Sequence, residues 1–368
     1  MTNIRRLFNL VVVLSISILF LSSILIDNLK SLLYFVYAQN SITDMEKNNT
    51  KIFIPTTISK QSQEILKNLT RSMSNFVTPE PDDLEDWKKL NQKMNSMAIL
   101  ESKQILDTYK SNVTYTKLAD VNVIDVKPQN WKDNGKILVY LHGGGYTLFS
   151  ANSTLDAVMP ISNTTGLRVI SVDYTLAPFS KWNQTTTEIV SVIQALIKEK
   201  GYSPDDIAIY GDSAGGGLVV GSVLKMRDEG IGIPAAVVLW SPWADLTRSG
   251  DSYYRLNNTV PILQSTSVLN NMADAYANHS DQNNPYVSPV YGNFSKGFPP
   301  TLIQGGTSEF FLSDFVRLYQ AIDQVDIPVK LDIYEGMPHD FQTFLYNTPE
   351  TYIAISKMNN FLHHYLGY

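Results

Sequence analysis

Asp206-Ile-Ala-Ile-Tyr-Gly-Asp-Ser-Ala-Gly-Gly-Gly217 is the stretch on which the reading of this chain turns. A short β-branched run, Ile207 and Ile209, ends at Gly211, and a helix rich in small residues opens directly after Ser213. Gly211, Ser213 and Gly215 form Gly-x-Ser-x-Gly, the mark of a serine held on a sharp strand-to-helix turn. Such a turn lifts the hydroxyl clear of the sheet, the glycines leave room for the tight backbone, and the following helix points its positive end at the site. The motif is too short to decide anything alone, so the rest of the chain has to supply what a nucleophilic serine needs.

Upstream, the apolar run Ile137-Leu-Val-Tyr-Leu141 leads straight into His142-Gly143-Gly144-Gly145-Tyr146. Consecutive glycines after a buried strand allow backbone N–H groups to turn towards a substrate oxygen, as an oxyanion hole requires. Gly143, Gly144 and Gly145 are the candidate donors, and the N–H of Ala214, next to the serine, is the expected additional one. His142 sits inside the glycine turn and is read as a loop-fixing residue rather than a base.

A serine hydroxyl also needs a base, and the base an orienting acid. His279 lies in a polar loop and His363 and His364 on the final helix, whereas His339 follows the strand 329–333 through Tyr334-Glu-Gly-Met-Pro338. His339 is therefore the candidate base. The strand 301–303 leads into Gly305-Gly-Thr-Ser-Glu-Phe-Phe-Leu-Ser-Asp314, which places Glu309 on the loop after a strand. Glu309 is the first candidate acid. Asp314 is the alternative, with N-capping as its competing role. Asp340 adjoins His339 in sequence, which makes side-chain approach awkward.

Strands are expected at 137–141, 169–172, 207–209, 236–239, 301–303 and 329–333, alternating with helices near 154–165, 184–200, 213–229, 312–324 and 349–366. This alternation predicts an α/β fold for residues 116–368, a mostly parallel sheet with helices on both faces. Ligands of such sheets bind beyond the carboxyl ends of the strands, where Ser213, Glu309 and His339 all fall.

Residues 59–115 read as a helical cap. Ile65, Leu69, Met73 and Phe76 recur at helical spacing, as do Leu84, Trp87, Leu90, Met94 and Met97 after Pro79 and Pro81. Stripes of this kind are packing faces, and their Met and aromatic content suits an adaptable cover over an apolar pocket. Trp240 and Trp243 fit an acyl site or the core equally well.

Residues 39–58 are polar and read as a linker. Before them, Arg5-Arg6 precede an apolar run over residues 7–26 that is long enough to cross a bilayer as a helix. Residues 1–38 are accordingly expected to be a signal peptide or a membrane anchor, with Val36-Tyr37-Ala38 resembling a cleavage site. Sequons such as Asn152-Ser-Thr and Asn183-Gln-Thr agree with an extracytoplasmic location.

The chain of 368 residues is 44% hydrophobic and 17% charged, with a formal net charge of −6, which is a globular composition. No Lys/Arg cluster gives the electrostatic footprint of a nucleic-acid binder. The absence of cysteine rules out disulfides, thiolate metal sites and a cysteine nucleophile. No histidine spacing suggests a metal centre, and no cofactor is expected.

Four blocks, His142-Gly-Gly-Gly145, Asp173-Tyr-Thr-Leu-Ala-Pro178, Gly211-Asp-Ser-Ala-Gly215 and Met337-Pro-His-Asp-Phe341, together with Ser241-Pro-Trp-Ala-Asp245 and Asn284-Pro-Tyr-Val-Ser-Pro289, resemble the hormone-sensitive-lipase-like branch of the α/β-hydrolases, the bacterial and archaeal carboxylesterases. The resemblance runs from about residue 136 to the C-terminus. It implies an α/β-hydrolase fold, a small-molecule ester substrate, an acyl-enzyme on Ser213, and oxyanion donors among the three loop glycines. The family's acid is usually Asp, with Glu in a subset, and here Glu309 is followed by Phe-Phe-Leu-Ser-Asp. Phe179 stands where the family usually has Glu. Alternative expectations are a serine peptidase or amidase of the same fold, or a non-catalytic binding module on a hydrolase scaffold.

Overall fold

A computed structural model describes residues 53–69, 76–256 and 266–368. The leader or anchor expected over 1–38, most of the linker, and Met73 of the first stripe lie outside the described residues. Among those described, no helix is long and apolar enough to cross a membrane.

Eight strands form one sheet: β1 (Ser111–Leu118), β2 (Val121–Pro128), β3 (Ile137–Leu141), β4 (Arg168–Asp173), β5 (Ile207–Asp212), β6 (Ala236–Trp240), β7 (Thr301–Ser308) and β8 (Val329–Pro338). Their spatial order is β1-β2-β4-β3-β5-β6-β7-β8, with the β1–β2 and β2–β4 pairs antiparallel and the pairs from β4 through β8 parallel. The longer helices among the described residues are α1 (Lys60–Leu69), α2 (Leu84–Thr108), α3 (Met159–Thr165), α4 (Trp182–Lys200), α5 (Ser213–Asp228), α6 (Thr266–Tyr276), α7 (Leu312–Asp323) and α8 (Pro349–Leu366).

β3 and β6 are buried along their whole length, as is β5 up to Asp212 at its end, because both faces are covered. Ile137, Val139 and Leu141 of β3 and Ile207 and Ile209 of β5 pack on one side with α4, α5 and α7. Leu138, Tyr140, Ala208 and Tyr210 point the other way, against α3 and α8. Each fully buried Ile, Val or Leu of this kind contributes about 1.5–3 kcal/mol. The alternation also places Trp240 on the α3/α8 side, bonded through Nε1 to Gln304 at 3.1 Å, and Trp243 on the other.

The helical cap expected over 59–115 ends earlier, since α2 stops at Thr108 and β1 begins at Ser111. β1 escapes a hydrophobic reading because it is an edge strand exposed at most positions. Its turn to β2 uses Ala119 and Asp120, both at positive φ (48° and 64°), without the glycine that normally announces such a hairpin. The apolar stripe of α2 is narrower than its spacing suggests. Trp87 is fully buried and bonded through Nε1 to the Glu80 carbonyl at 2.9 Å, and Leu90 and Met94 pack on the core, while Leu84 and Met97 are exposed. α1 buries Leu66 with Met337, Phe341 and Leu345, and the Glu350 carboxylate at the start of α8 accepts from Ser59 N, Ser59 Oγ and Ser62 Oγ at 2.7–2.9 Å.

Candidate active site

Ser213 is the first residue of α5 and sits at φ 53°, a left-handed conformation that a non-glycine residue keeps only when its surroundings impose it. Those surroundings are close backbone contacts. A Cβ on Gly215 would overlap the Leu141 and His142 carbonyls, and one on Gly211 would meet the Gly215 backbone at 2.7 Å. The first turn of α5 therefore lies directly on the carboxyl end of β3. The Ser213 carbonyl accepts from Trp243 N at 2.8 Å, which fixes the elbow from the β6 side.

β7 and β8 bring the other two groups to the same sheet end. His339 Nε2 lies 2.8 Å from Ser213 Oγ, and its Nδ1 lies 2.9 Å from Glu309 Oε2. With a carboxylate on Nδ1, that nitrogen carries the proton and leaves Nε2 to accept from the serine hydroxyl. Glu309 is wholly buried, and its second oxygen accepts from Gly306 N at 2.5 Å and Ser241 Oγ at 2.8 Å. Phe311, part of the unusual Phe-Phe after the acid, packs edge-on to the His339 ring at 5.1 Å.

Asp314 does neither thing expected of it. Its Oδ2 accepts from the amides of Ala244 and Asp245 at 3.1 and 3.0 Å and from Tyr253 Oη at 2.9 Å, inside α7 rather than at its cap, and away from His339. Burial, then the neighbouring Asp245, pushes its carboxyl well above the ordinary carboxylate range. Asp340, by contrast, comes closer than its sequence position suggests. A left-handed backbone at φ 50° folds its Oδ2 to 3.1 Å from His339 Nε2. Burial, followed by the charges of Asp212 and Glu309, raises its carboxyl well above the usual value.

The glycine loop divides its candidate donors. Gly143 N donates to both oxygens of Asp212 at 3.1 Å, and the same carboxylate accepts from Tyr140 Oη at 2.5 Å. Gly143 is thereby occupied in holding the loop to the elbow. Burial pushes the Asp212 carboxyl up to about 6 against these bonds and the opposing influence of His339. The amides of Gly144 and Gly145 make no hydrogen bond among the described residues. The Ala214 amide lies in the first turn of α5, where no helical carbonyl can reach it. Gly144 (φ 107°), Gly145 (φ 62°) and Tyr146 (φ 64°) all have left-handed backbones. A Cβ on Gly144 would overlap the Leu148 carbonyl, and one on Gly145 the Met272 sulfur.

His142 is buried and stacks on Tyr174 at 4.3 Å, and Tyr174 Oη donates to the His142 carbonyl at 2.7 Å. Burial lowers its pKa, so it is a neutral wall of the loop. His279 is exposed near Asp274, and His363 and His364 pack on Tyr368 and Tyr365 at the end of the chain. Trp243 is packed between Phe311 and Tyr146. Ser241, Asp212 and Tyr140, which hydrogen-bond into the candidate site, were not among the residues the sequence pointed to. The Ser241-Pro-Trp block directly after β6 is the one signal that could have found Ser241. Among the described residues no group of three or more His, Asp or Glu is arranged to hold a metal.

Residues 138–343 match a family model described as the alpha/beta hydrolase fold. An acetyl-hydrolase from Streptomyces hygroscopicus is 34% identical over 231 residues, which cover 63% of this chain and 76% of that one. An esterase from Acinetobacter venetianus is 32% identical over 246 residues, 67% of this chain and 80% of that one. Among solved structures, an esterase of the bacterial hormone-sensitive lipase family has a TM-score of 0.73 at 26% identity, covering 84% of this chain and 99% of its own. A hormone-sensitive lipase from a metagenome library has a TM-score of 0.71 at 28% identity, covering 82% and 97%.

Proposed function

Because this chain belongs to the hormone-sensitive-lipase-like α/β-hydrolases, we propose that it is a serine carboxylic-ester hydrolase that works through Ser213, His339 and Glu309. Ser213 Oγ attacks the ester carbonyl as its proton passes to His339 Nε2. Glu309, bonded to Nδ1, keeps the tautomer and stabilises the imidazolium that forms. The carbonyl oxygen becomes an oxyanion facing the amides of Gly144, Gly145 and Ala214, each such donor lowering the barrier by about 3–4 kcal/mol in comparable sites. His339 returns the proton to the departing alkoxide. Water activated by the same nitrogen then releases the acid from Ser213.

The observation that carries this reading is the unbroken relay from Ser213 Oγ through His339 to Glu309, at 2.8 and 2.9 Å, beside two amides left without an acceptor. The names of the relatives, acetyl-hydrolase and esterase, support short-chain esters as first substrates. Hydrolysis of p-nitrophenyl acetate and butyrate by the wild type, lost in Ser213→Ala together with labelling by a fluorophosphonate, is the expected result. Activity retained in Ser213→Ala would reject the assignment.

Arg5-Arg6 and the apolar run over 7–26 support action outside the cytoplasm, with that segment as a cleaved leader or a membrane anchor. Mass spectrometry of the mature N-terminus in fractionated cells separates these two forms. An intact protein confined to the soluble cytoplasm would reject both.

A further inference from the structure

The oxyanion loop is held from two sides, and one of them lies outside the sheet. On its first half, Tyr146 O accepts from Ala177 N at 2.9 Å and the Tyr146 ring stacks on Tyr276 at 3.8 Å. On its second half the chain closes a turn, Leu148 N donating to Gly144 O at 2.9 Å, and then reaches Phe149 at φ 71°. Strain of this kind in a non-glycine residue persists only when neighbours over-determine it. The Phe149 amide donates to Asn91 Oδ1 of α2 at 2.6 Å. One helical turn on, Asn95 Nδ2 donates to the same Asn91 oxygen at 3.0 Å, and Asn95 Oδ1 accepts from Ser150 Oγ at 2.9 Å. The Leu148 carbonyl and the Phe149 ring held in this way are the groups that lie against Gly144.

We infer that Asn91 and Asn95 are positioning residues for the oxyanion hole, so that α2 takes part in the reaction by setting where the Gly144 and Gly145 amides point. The pair acts through the loop: it fixes Phe149 and Ser150, these fix the turn that begins at Gly144, and that turn aims the amides. The inference rests on the esterase reading of the same site. A loop freed on this side keeps its glycines and the bond from Gly143 N to Asp212, yet its amides no longer stand where charge develops.

Two measurements test this in the full chain, on wild type, Asn91→Ala, Asn95→Ala and Asn91→Asp. The first is kcat and KM for p-nitrophenyl butyrate, together with affinity for a trifluoromethyl ketone, whose adduct with Ser213 places an oxyanion in the hole. In Asn91→Ala, kcat and ketone affinity should fall together by about tenfold to a hundredfold, the scale of a small misplacement of reacting groups, while KM stays within about twofold. Asn95→Ala should fall less. Asn91→Asp retains an acceptor for the Phe149 amide and should recover most of the loss. The second measurement is amide hydrogen exchange in peptides spanning 143–150, which should quicken in Asn91→Ala and not in Asn91→Asp.

Unchanged kcat, ketone affinity and exchange in Asn91→Ala would overturn the inference, as would an Asn91→Asp no better than Asn91→Ala. Alanine is a strong helix former, so α2 should survive the substitution, and circular dichroism checks that it does. A wild type inert towards esters would reject the esterase reading, while the exchange measurement would still decide whether the two asparagines hold the loop.

Discussion

The two halves of the site are built by different means. Glu309 and His339, the proposed acid and base, stand at the ends of neighbouring parallel strands, β7 and β8, and Ser213, the proposed nucleophile, at the end of β5, so the ladder that forms the sheet also sets their spacing. The proposed oxyanion half is a loop with left-handed backbone at Gly144, Gly145, Tyr146 and Phe149, kept in place by the side chains of Asp212, Tyr174, Tyr276 and Asn91. One half inherits its geometry from secondary structure. The other is assembled from tertiary bonds, each removable alone. Damage to the first should therefore abolish chemistry through a single group, whereas damage to the second should be graded.

The largest effect should come from Glu309→Gln, which cannot hold the imidazole in the working tautomer. A fall in kcat on the order of 10⁴-fold is expected, with KM little changed. Asp314→Asn should leave kcat near wild type, and the reverse ranking in steady-state kinetics would move the acid to Asp314 and undo the strand-end account. Next, Gly144→Ala should lower kcat by about 10²-fold, since the new methyl meets the Leu148 carbonyl and turns a donor away. A kcat within a few fold of wild type, in a variant with a normal melting temperature, would mean that Gly144 is no donor.

Ser241→Ala tests the boundary between the two halves. Ser241 Oγ donates to Glu309 Oε1 and accepts from Asp340 N at 3.0 Å, bridging the acid to the residue after the base. Its loss leaves a buried carboxylate oxygen short of one donor, worth about 1–2 kcal/mol, or roughly five- to thirtyfold in kcat. A change in KM alone would remove Ser241 from the relay.

The smallest expected effect is one of pH. Asp212 is raised from 3.8 to about 6 in the folded protein, chiefly by burial. The folded state therefore holds a proton that the unfolded chain releases, and stability from this group falls as pH rises from about 4 to 6 and then levels off. Asp212→Asn, which can still accept from Gly143 N and Tyr140 Oη, should flatten that fall in melting temperature. An unchanged slope in thermal melts across this window would show that Asp212 is not its source.

The same division explains what could be read beforehand. The inner strands β3, β5 and β6 are legible as apolar runs because burial on both faces fills them with apolar side chains up to the end of the strand. Ser213, His339 and Glu309 are legible because each follows such a run. The β1–β2 hairpin is not, since an exposed edge strand and an Ala119-Asp120 turn carry neither apolar alternation nor a glycine. Glycine content marks the oxyanion loop, but not the direction of each amide, so only the fold reveals that Gly143 is tied to Asp212. Distance along the chain misplaces both Asp314 and Asp340. Helix register carries the first away from the base, and a left-handed backbone folds the second back onto it.

The contact of Gly215 with the carbonyls of Leu141 and His142 has a consequence for how such a site can change. It is backbone against backbone, with no rotamer to adjust, so Ser213 and the start of the glycine loop are held as one rigid piece. Selection for a bulkier or differently shaped ester has nothing to tune there. The adjustable parts are side chains around that piece, Met272 against Gly145 and Phe149 beneath α2, and new specificities should accumulate at those positions while the elbow stays as it is.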